Sequence, residues 1–228
     1  MTNLKNTIMN FNEFINEQLQ PETPIRIFCD MDGVLTDFKR GFKRLKANKH
    51  HRTPKEYEDK FGKHSIWKII DKRKEYFWKR LPWTKDGREL WDYLDRYKPY
   101  ILSSPSRSDY SKDGKLQWIK LNLGFSQRKA VTTPEEHEER PELRVILSSK
   151  KDLFVKGKND ILIDDKESNI EKWTNAGGTG ILHNDSTDTI RVLEEIFAKL
   201  RGESSNEDEI DKSEDDNIEN QENQENLS

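Results

Sequence analysis
The chain has 228 residues with 36% charged and 32% hydrophobic side chains, a formal net charge of −3 and one cysteine, Cys29. That length is enough for one α/β domain with a small insertion and a sizeable core. A lone cysteine excludes an intrachain disulfide and a thiolate metal cluster, and no apolar run approaches the roughly 18 residues of a membrane span.

Residues 7–19 place Ile8, Phe11, Phe14, Ile15 and Leu19 at helical spacing before Pro21 and Pro24, which predicts a short amphipathic helix that packs on the domain or docks a partner. No basic region followed by an apolar core opens the chain, so a soluble, cytoplasmic protein is expected. Short apolar runs at 25–29, 99–103, 144–147, 160–163 and 179–182 predict strands. Helix-like stretches lie between them at 86–97, 109–121, 150–156, 166–176 and 186–201, with Asp109, Asp165 and Ser186 as candidate caps. Strands alternating with helices imply a parallel sheet covered on both faces, a Rossmann-like three-layer α/β core. From 38 to 85 the alternation breaks into helix-like stretches rich in Lys, Arg and aromatics. This region is expected to be a helical cap inserted after the first strand, overhanging the strand ends where open α/β sheets bind ligands. Residues 203–228 hold eleven Asp or Glu, one Lys and no aromatic, a composition expected to be disordered. Without that tail, 39 Lys and Arg stand against 32 Asp and Glu, a mild surplus that suits an anionic substrate. The expected organisation is therefore an N-terminal segment 1–24, a core of 25–37 and 86–202, a cap of 38–85 and the tail.

Asp30 and Asp32 follow the first strand directly, and Gly33 lets the backbone turn there. Two carboxylates so close repel unless a cation lies between them or one carries a proton. A hard divalent ion with oxygen ligands, magnesium best of all, resolves the conflict; a plain Asp-Gly turn is the competing reading. Asp164 and Asp165 end a second apolar strand and can complete a coordination shell, with helix capping by Asp165 as the alternative. Ser103 and Ser104 end a third strand, where hydroxyls and backbone N–H groups can hold phosphate oxygens, although a Ser-Ser-Pro turn is equally natural. Lys151 can bring a cation beside Asp30 and a phosphate, with Lys150 next to it as a rival. His50 and His51 lack a matching ligand set and read as exposed cap surface.

These four segments, in this order, resemble the motifs of the haloacid dehalogenase (HAD) superfamily of phosphotransferases over about residues 25–185: Asp30-Met-Asp-Gly-Val-Leu-Thr-Asp37, Ser103, Lys151 and Ile161-Leu-Ile-Asp-Asp165. The resemblance implies a magnesium-dependent phosphatase. Asp30 would be the nucleophile that forms an aspartyl-phosphate and Asp32 the acid and base. The metal would be held by Asp30, the backbone carbonyl of Asp32 and Asp165, with Asp164 in support, and the phosphoryl group by Ser103, Ser104 and Lys151.

A closer similarity is to the 5′(3′)-deoxyribonucleotidases. It is carried by Met31, Asp37-Phe38, Gly41-Phe42, Tyr76-Phe77-Trp78 before Leu81-Pro82, Ser103-Ser104-Pro105 and the Ile-Asp-Asp segment. It implies a nucleoside monophosphate substrate and base or sugar contacts at Phe42, Phe77 and Trp78. Trp67, Ile70, Phe77 and Trp78 at near-helical spacing also read as a small core inside the cap. The polar Lys156-Gly-Lys-Asn159 insertion and the basic cap depart from that family, which keeps open a phosphatase acting on nucleic-acid ends, with single-stranded nucleic acid as partner. A non-catalytic binding protein with partners at 7–19 or at the acidic tail is the remaining alternative.

Overall fold
Each of the five short apolar runs forms a strand, and their alternation decides which layer each side chain joins. The computed structural model describes residues 24–201; the helix expected at 7–19 and the disorder expected at 203–228 lie outside the described residues. The strands are β1 (Arg26–Cys29), β2 (Tyr100–Ser103), β3 (Val145–Leu147), β4 (Asp160–Asp164) and β5 (Thr179–Leu182). They pair in parallel in the order β3-β2-β1-β4-β5. The helices are α1 (Phe38–Lys43), α2 (Pro54–Phe61), α3 (Ser65–Asp71), α4 (Glu75–Trp78), α5 (Gly87–Leu94), α6 (Asp109–Leu123), α7 (Pro134–Glu139), α8 (Glu167–Asn175) and α9 (Ser186–Leu200).

Successive strand residues point to opposite faces. Ile27, Cys29, Ile101, Ile161 and Ile163 share one core with Leu90 and Leu94 of α5, Ile119 of α6 and Leu193 and Phe197 of α9. Phe28, Leu102, Ile146 and Leu162 form the other with Phe154 and with Trp173 of α8. The result is a three-layer α/β fold of Rossmann-like type. Connections leave β1 toward β2 and β3 on one side and then cross to β4 and β5 on the other. This reversal puts a crevice at the carboxyl ends of β1 and β4. The register keeps those ends level, because Cys29 pairs with Ile163 and Ser103 with Leu147. At the opposite end, the Arg26 guanidinium donates to both Asp160 oxygens at 2.6 Å, a fork that holds the same register. The Lys156–Asn159 insertion closes onto that carboxylate, which also accepts from the Lys156 and Gly157 N–H groups.

Several local expectations are corrected. The stretch 150–156 forms only a 3-10 turn, Lys151–Phe154, because Val155 is extended. Helix α5 passes into a 3-10 turn that stops where Lys98 takes a left-handed φ of 51° before Pro99. The N-caps are Ser108, Lys166 and Asp185 rather than the residues that follow Ser108 and Asp185 or precede Lys166; Asp185 accepts from the Asp188 N–H at 2.9 Å. Helix α7 was not expected, since Pro-Glu-Glu-His-Glu-Glu has no apolar period. It is started by Thr133, whose hydroxyl caps the Glu136 N–H, and by Pro134 in its first turn.

Between β1 and α5 the chain forms α1 to α4, whose apolar side chains Phe42, Ile66, Ile70, Phe77 and Trp78 are buried and continuous with the first core. Helix α4 lies against α6. They approach at Gly114, where an added Cβ would meet Trp78 Cβ at 2.4 Å and the Glu75 carbonyl at 2.5 Å.

Candidate active site
The loop that leaves β1 is built by its own hydrogen bonds. The Leu35 and Thr36 N–H groups both reach the Met31 carbonyl, and the Gly33 N–H reaches the Thr36 carbonyl at 2.8 Å. Segment 82–84 pins it from outside, with Asp37 N–H donating to the Pro82 carbonyl and Thr84 N–H to the Leu35 carbonyl. Gly33 has φ +92°, and a Cβ there would lie 2.1 Å from Asp165 Oδ2. Glycine is thus required both for the turn and for the close approach of the second acidic pair.

Asp30 is 4% exposed, and its N–H donates to the Ile163 carbonyl. Its Oδ1 lies 2.9 Å from Lys151 Nζ, which also donates to Asp164 Oδ2 at 2.5 Å. Burial pushes the Asp30 carboxyl up, but the Lys151 and Lys115 charges outweigh it and hold the group below the usual carboxylate range. Burial likewise works against the Lys151 charge, and Asp30 and Asp164 outweigh it and raise the ammonium above its ordinary value. The structure thereby separates the two neighbouring lysines: Lys151 is inside the site and Lys150 is exposed.

Asp164 is fully buried and accepts from the Lys166 N–H and from Asn169 Nδ2. Asp165 is freed from capping and faces the Gly33 turn. Ligand oxygens of Asp30, Asp164 and Asp165 lie within 4.8 Å of one another, a carboxylate set able to hold a metal ion. Burial first, then the Asp30 and Asp164 charges, push the Asp165 carboxyl up to about 6. The Asp32 side chain goes elsewhere: its Oδ1 accepts from the Thr36 hydroxyl at 2.8 Å and its Oδ2 lies 2.7 Å from Lys115 Nζ.

Lys115 is the residue that sequence reasoning missed. Fully buried on α6, it donates to Ser103 Oγ and to the Ser104 carbonyl, both at 2.8 Å, and so links the end of β2 to Asp32. A usable signal exists: Ser111, Lys115, Trp118 and Ile119 share one buried helical face, and a lysine there needs a partner. Ser104 and its neighbours Pro105 and Ser106 line the adjoining cleft.

That cleft has a volume of about 590 Å³ and is also lined by Asp32, Gly33, Phe38, Trp67, Trp78 and Asp165. Of the aromatics taken from the deoxyribonucleotidase resemblance, all three are buried; Trp78 borders the cleft, and Phe42 and Phe77 lie in the core formed with α1 to α4. Its other aromatic walls are Phe38 and Trp67, with Phe38 5.8 Å from Trp78 and 6.3 Å from Trp67 between ring centroids. His50 and His51 are exposed. No helix among the described residues is long and apolar enough to cross a membrane.

The chain matches no protein-family model and no curated protein. Among solved structures it is similar to a hydrolase from Streptococcus pneumoniae, at 11% identity and TM-score 0.44, over 74% of this chain and 97% of that one. A HAD-superfamily hydrolase from Ehrlichia chaffeensis matches at 13% identity and TM-score 0.38, over 77% and 96%. A HAD family enzyme from Bacteroides thetaiotaomicron, solved as its magnesium complex, matches at 18% identity and TM-score 0.35, over 70% and 92%. Similarity at this level assigns neither substrate nor reaction, and a shared fold would not assign them either.

Proposed function
We propose that the chain is a magnesium-dependent phosphomonoester hydrolase of the 5′(3′)-deoxyribonucleotidase type, acting through an aspartyl-phosphate on Asp30. One arrangement carries this reading: a buried carboxylate at the end of the central strand, 2.9 Å from buried Lys151, with Asp164 and Asp165 close enough to share one cation with it. The donor set fits magnesium, being all carboxylate oxygen, and the raised Asp165 carboxyl marks unrelieved negative charge that a divalent ion relieves. When bound by Asp30, Asp164 and Asp165, magnesium supplies neutralisation of phosphoryl charge.

The side chains of the protein do the rest. Asp30, ionised at neutral pH, forms the new O–P bond as the ester oxygen departs. Asp32 gives that oxygen its proton and later takes one from the water that cleaves the aspartyl-phosphate, so free phosphate leaves, Asp30 is again a carboxylate and Asp32 again carries its proton. Ser103, Ser104 and Lys151 orient the phosphoryl oxygens, while Phe38, Trp67 and Trp78 give the cleft an apolar wall for a base, where stacking contributes about 1–3 kcal/mol.

The test is phosphate release from deoxynucleoside and ribonucleoside monophosphates in magnesium, together with trapping by beryllium fluoride. Wild-type protein is expected to turn over at least one of them and Asp30→Asn to lose roughly 10⁴-fold or more in kcat. No turnover and no trapping by the wild type, or undiminished turnover by the variant, would sink the reading.

A further inference from the structure
Among the described residues, the surplus of positive charge is confined to one region. Residues 38–85 hold 17 Lys and Arg against five Asp and Glu, whereas the remainder of 24–201 holds 21 against 24. Among the described residues, Arg40 with Asp37 is the one ion pair made by a cation of 38–85. Outside that region some surface cations do pair with carboxylates, Arg191 with Asp188 and Glu195 and Lys156 with Glu138.

The cations near α4 are instead held by aromatic rings. Arg73, Lys79 and Arg80 lie 5.6, 5.3 and 4.5 Å from the centroid of exposed Tyr76, and Lys74 lies 5.8 Å from that of exposed Tyr110. A ring orients a cation without cancelling its charge, so these groups are placed and remain available to an anion. Their position matters as much. Tyr76 shares α4 with Trp78, which lines the cleft, and Tyr110 follows Ser106, also on the cleft, by four residues. The array is therefore carried by the same two segments, around α4 and at the start of α6, that supply Trp78 and Ser106 to the cleft.

A mononucleotide spends its phosphate on the carboxylate and lysine site and its base on the aromatic wall. It leaves nothing for Arg73, Lys74 and Arg80. We propose, on the basis of the hydrolase reading above, that the substrate is the phosphorylated end of a single-stranded nucleic acid, whose following phosphates lie along this cationic face. An end base can enter the cleft only if it is unpaired, which favours a single strand over a duplex. The net reaction needs no further reactant. Water's oxygen goes to phosphorus, the terminal ester P–O bond breaks, and the strand leaves with a hydroxyl.

The experiment compares kcat/KM of the full-length protein for p-nitrophenyl phosphate, for thymidine 5′- and 3′-monophosphates and for oligothymidylates phosphorylated at either end, across a salt series. The oligonucleotide is expected to exceed the monophosphate by about tenfold or more at low salt and to lose that advantage as salt rises. In the triple variant Arg73→Gln, Lys74→Gln, Arg80→Gln, the ratio of oligonucleotide to p-nitrophenyl phosphate turnover should fall about tenfold, and the salt slope of strand binding should shrink by about 2. The triple Lys172→Gln, Arg191→Gln, Lys199→Gln, which removes exposed cations from α8 and α9, should leave that ratio unchanged. An oligonucleotide no better than the monophosphate at every salt concentration, a preferred blunt duplex, or an unaltered ratio in the first triple overturns the proposal. If no ester at all is hydrolysed, the hydrolase reading is what fails. Fluorescence anisotropy with labelled oligothymidylate then still decides the surface: binding as tight and as salt-dependent in the first triple as in wild type overturns it.

Discussion

Lys115 joins two parts of the site that lie far apart in sequence. Its ammonium bonds to Ser103, to the Ser104 carbonyl and to Asp32, and is fully buried in doing so. A buried cation with a complete set of oxygen partners fixes its neighbours as firmly as it is fixed by them. Lys115→Met keeps the stem and removes the charge. It is expected to lower kcat/KM for any substrate the wild type hydrolyses by roughly 10²–10³, and to destabilise the fold by about 3 kcal/mol. That is the low end for breaking a buried pair, because Asp32 is partly solvated. Steady-state kinetics and urea unfolding check the two effects separately; unchanged kinetics in a folded variant would remove Lys115 from the site. At Gly33, similarly, a positive φ and the nearby Asp165 carboxylate make one residue answer for both halves of the acidic cluster.

At the scale of elements, the helices of 38–85 are positioned by α6 rather than by each other alone. Trp118 Nε1 donates to the Leu81 carbonyl at 2.8 Å, and the Gly114 backbone admits α4 to close range. Two effects oppose one another in Gly114→Ala. Helix propensity favours alanine by about 1 kcal/mol, while overpacking against Trp78 and the Glu75 backbone costs about 1–3 kcal/mol. The obstructing atoms include backbone and the root of a buried Trp, which cannot swing aside, so the net effect should be destabilising. Thermal melting followed by circular dichroism should show Tm lower by a few degrees; a rise in Tm would mean that α4 moves away freely. Trp78 is displaced by the same change, so a loss of affinity for aromatic-base substrates is expected with it.

At the scale of the whole molecule, stability should depend on pH through buried histidine. His137 is 3% exposed, packed edge-on against Tyr100 and Phe154. Burial first, then the Arg26 and Lys156 charges, lower its pKa. The unfolded chain therefore takes up a proton more readily than the folded one, and stability is lost as pH falls from the unfolded value of about 6.5 toward the depressed folded one. Asp165 acts in the opposite sense in metal-free protein. Its raised pKa gives a contribution that is present at low pH and disappears as pH rises through about 6. Comparing His137→Phe with wild type isolates the histidine. The variant should lose less urea-unfolding free energy between about pH 7 and pH 5.5, and parallel curves would contradict this.

Much of the core was legible in the sequence, because its signals are local. A short apolar run between helical stretches specifies a buried parallel strand, and Asp30, Asp32, Ser103 and Asp164-Asp165 each follow such a run directly. Helix α7 and the 3-10 turn at 151–154 were not legible, because capping and chain direction outweigh periodicity in segments so short. The cleft depended on packing between distant segments. A lysine within a helix usually belongs to the surface, and only the docking of α6 beneath the end of β2 turned Lys115 inward. Phe38, Phe42, Phe77 and Trp78 have equivalent apolar character in the sequence. Which of them borders the cleft and which is sealed between helices is settled by how α1 and α4 pack. Local composition by itself determined that the strand ends would be acidic and residues 38–85 basic. Tertiary structure decided which carboxylates lie close enough to hold one cation, which one pairs with Lys115, and that Arg73, Lys79 and Arg80 gather around the Tyr76 ring with their charge uncancelled.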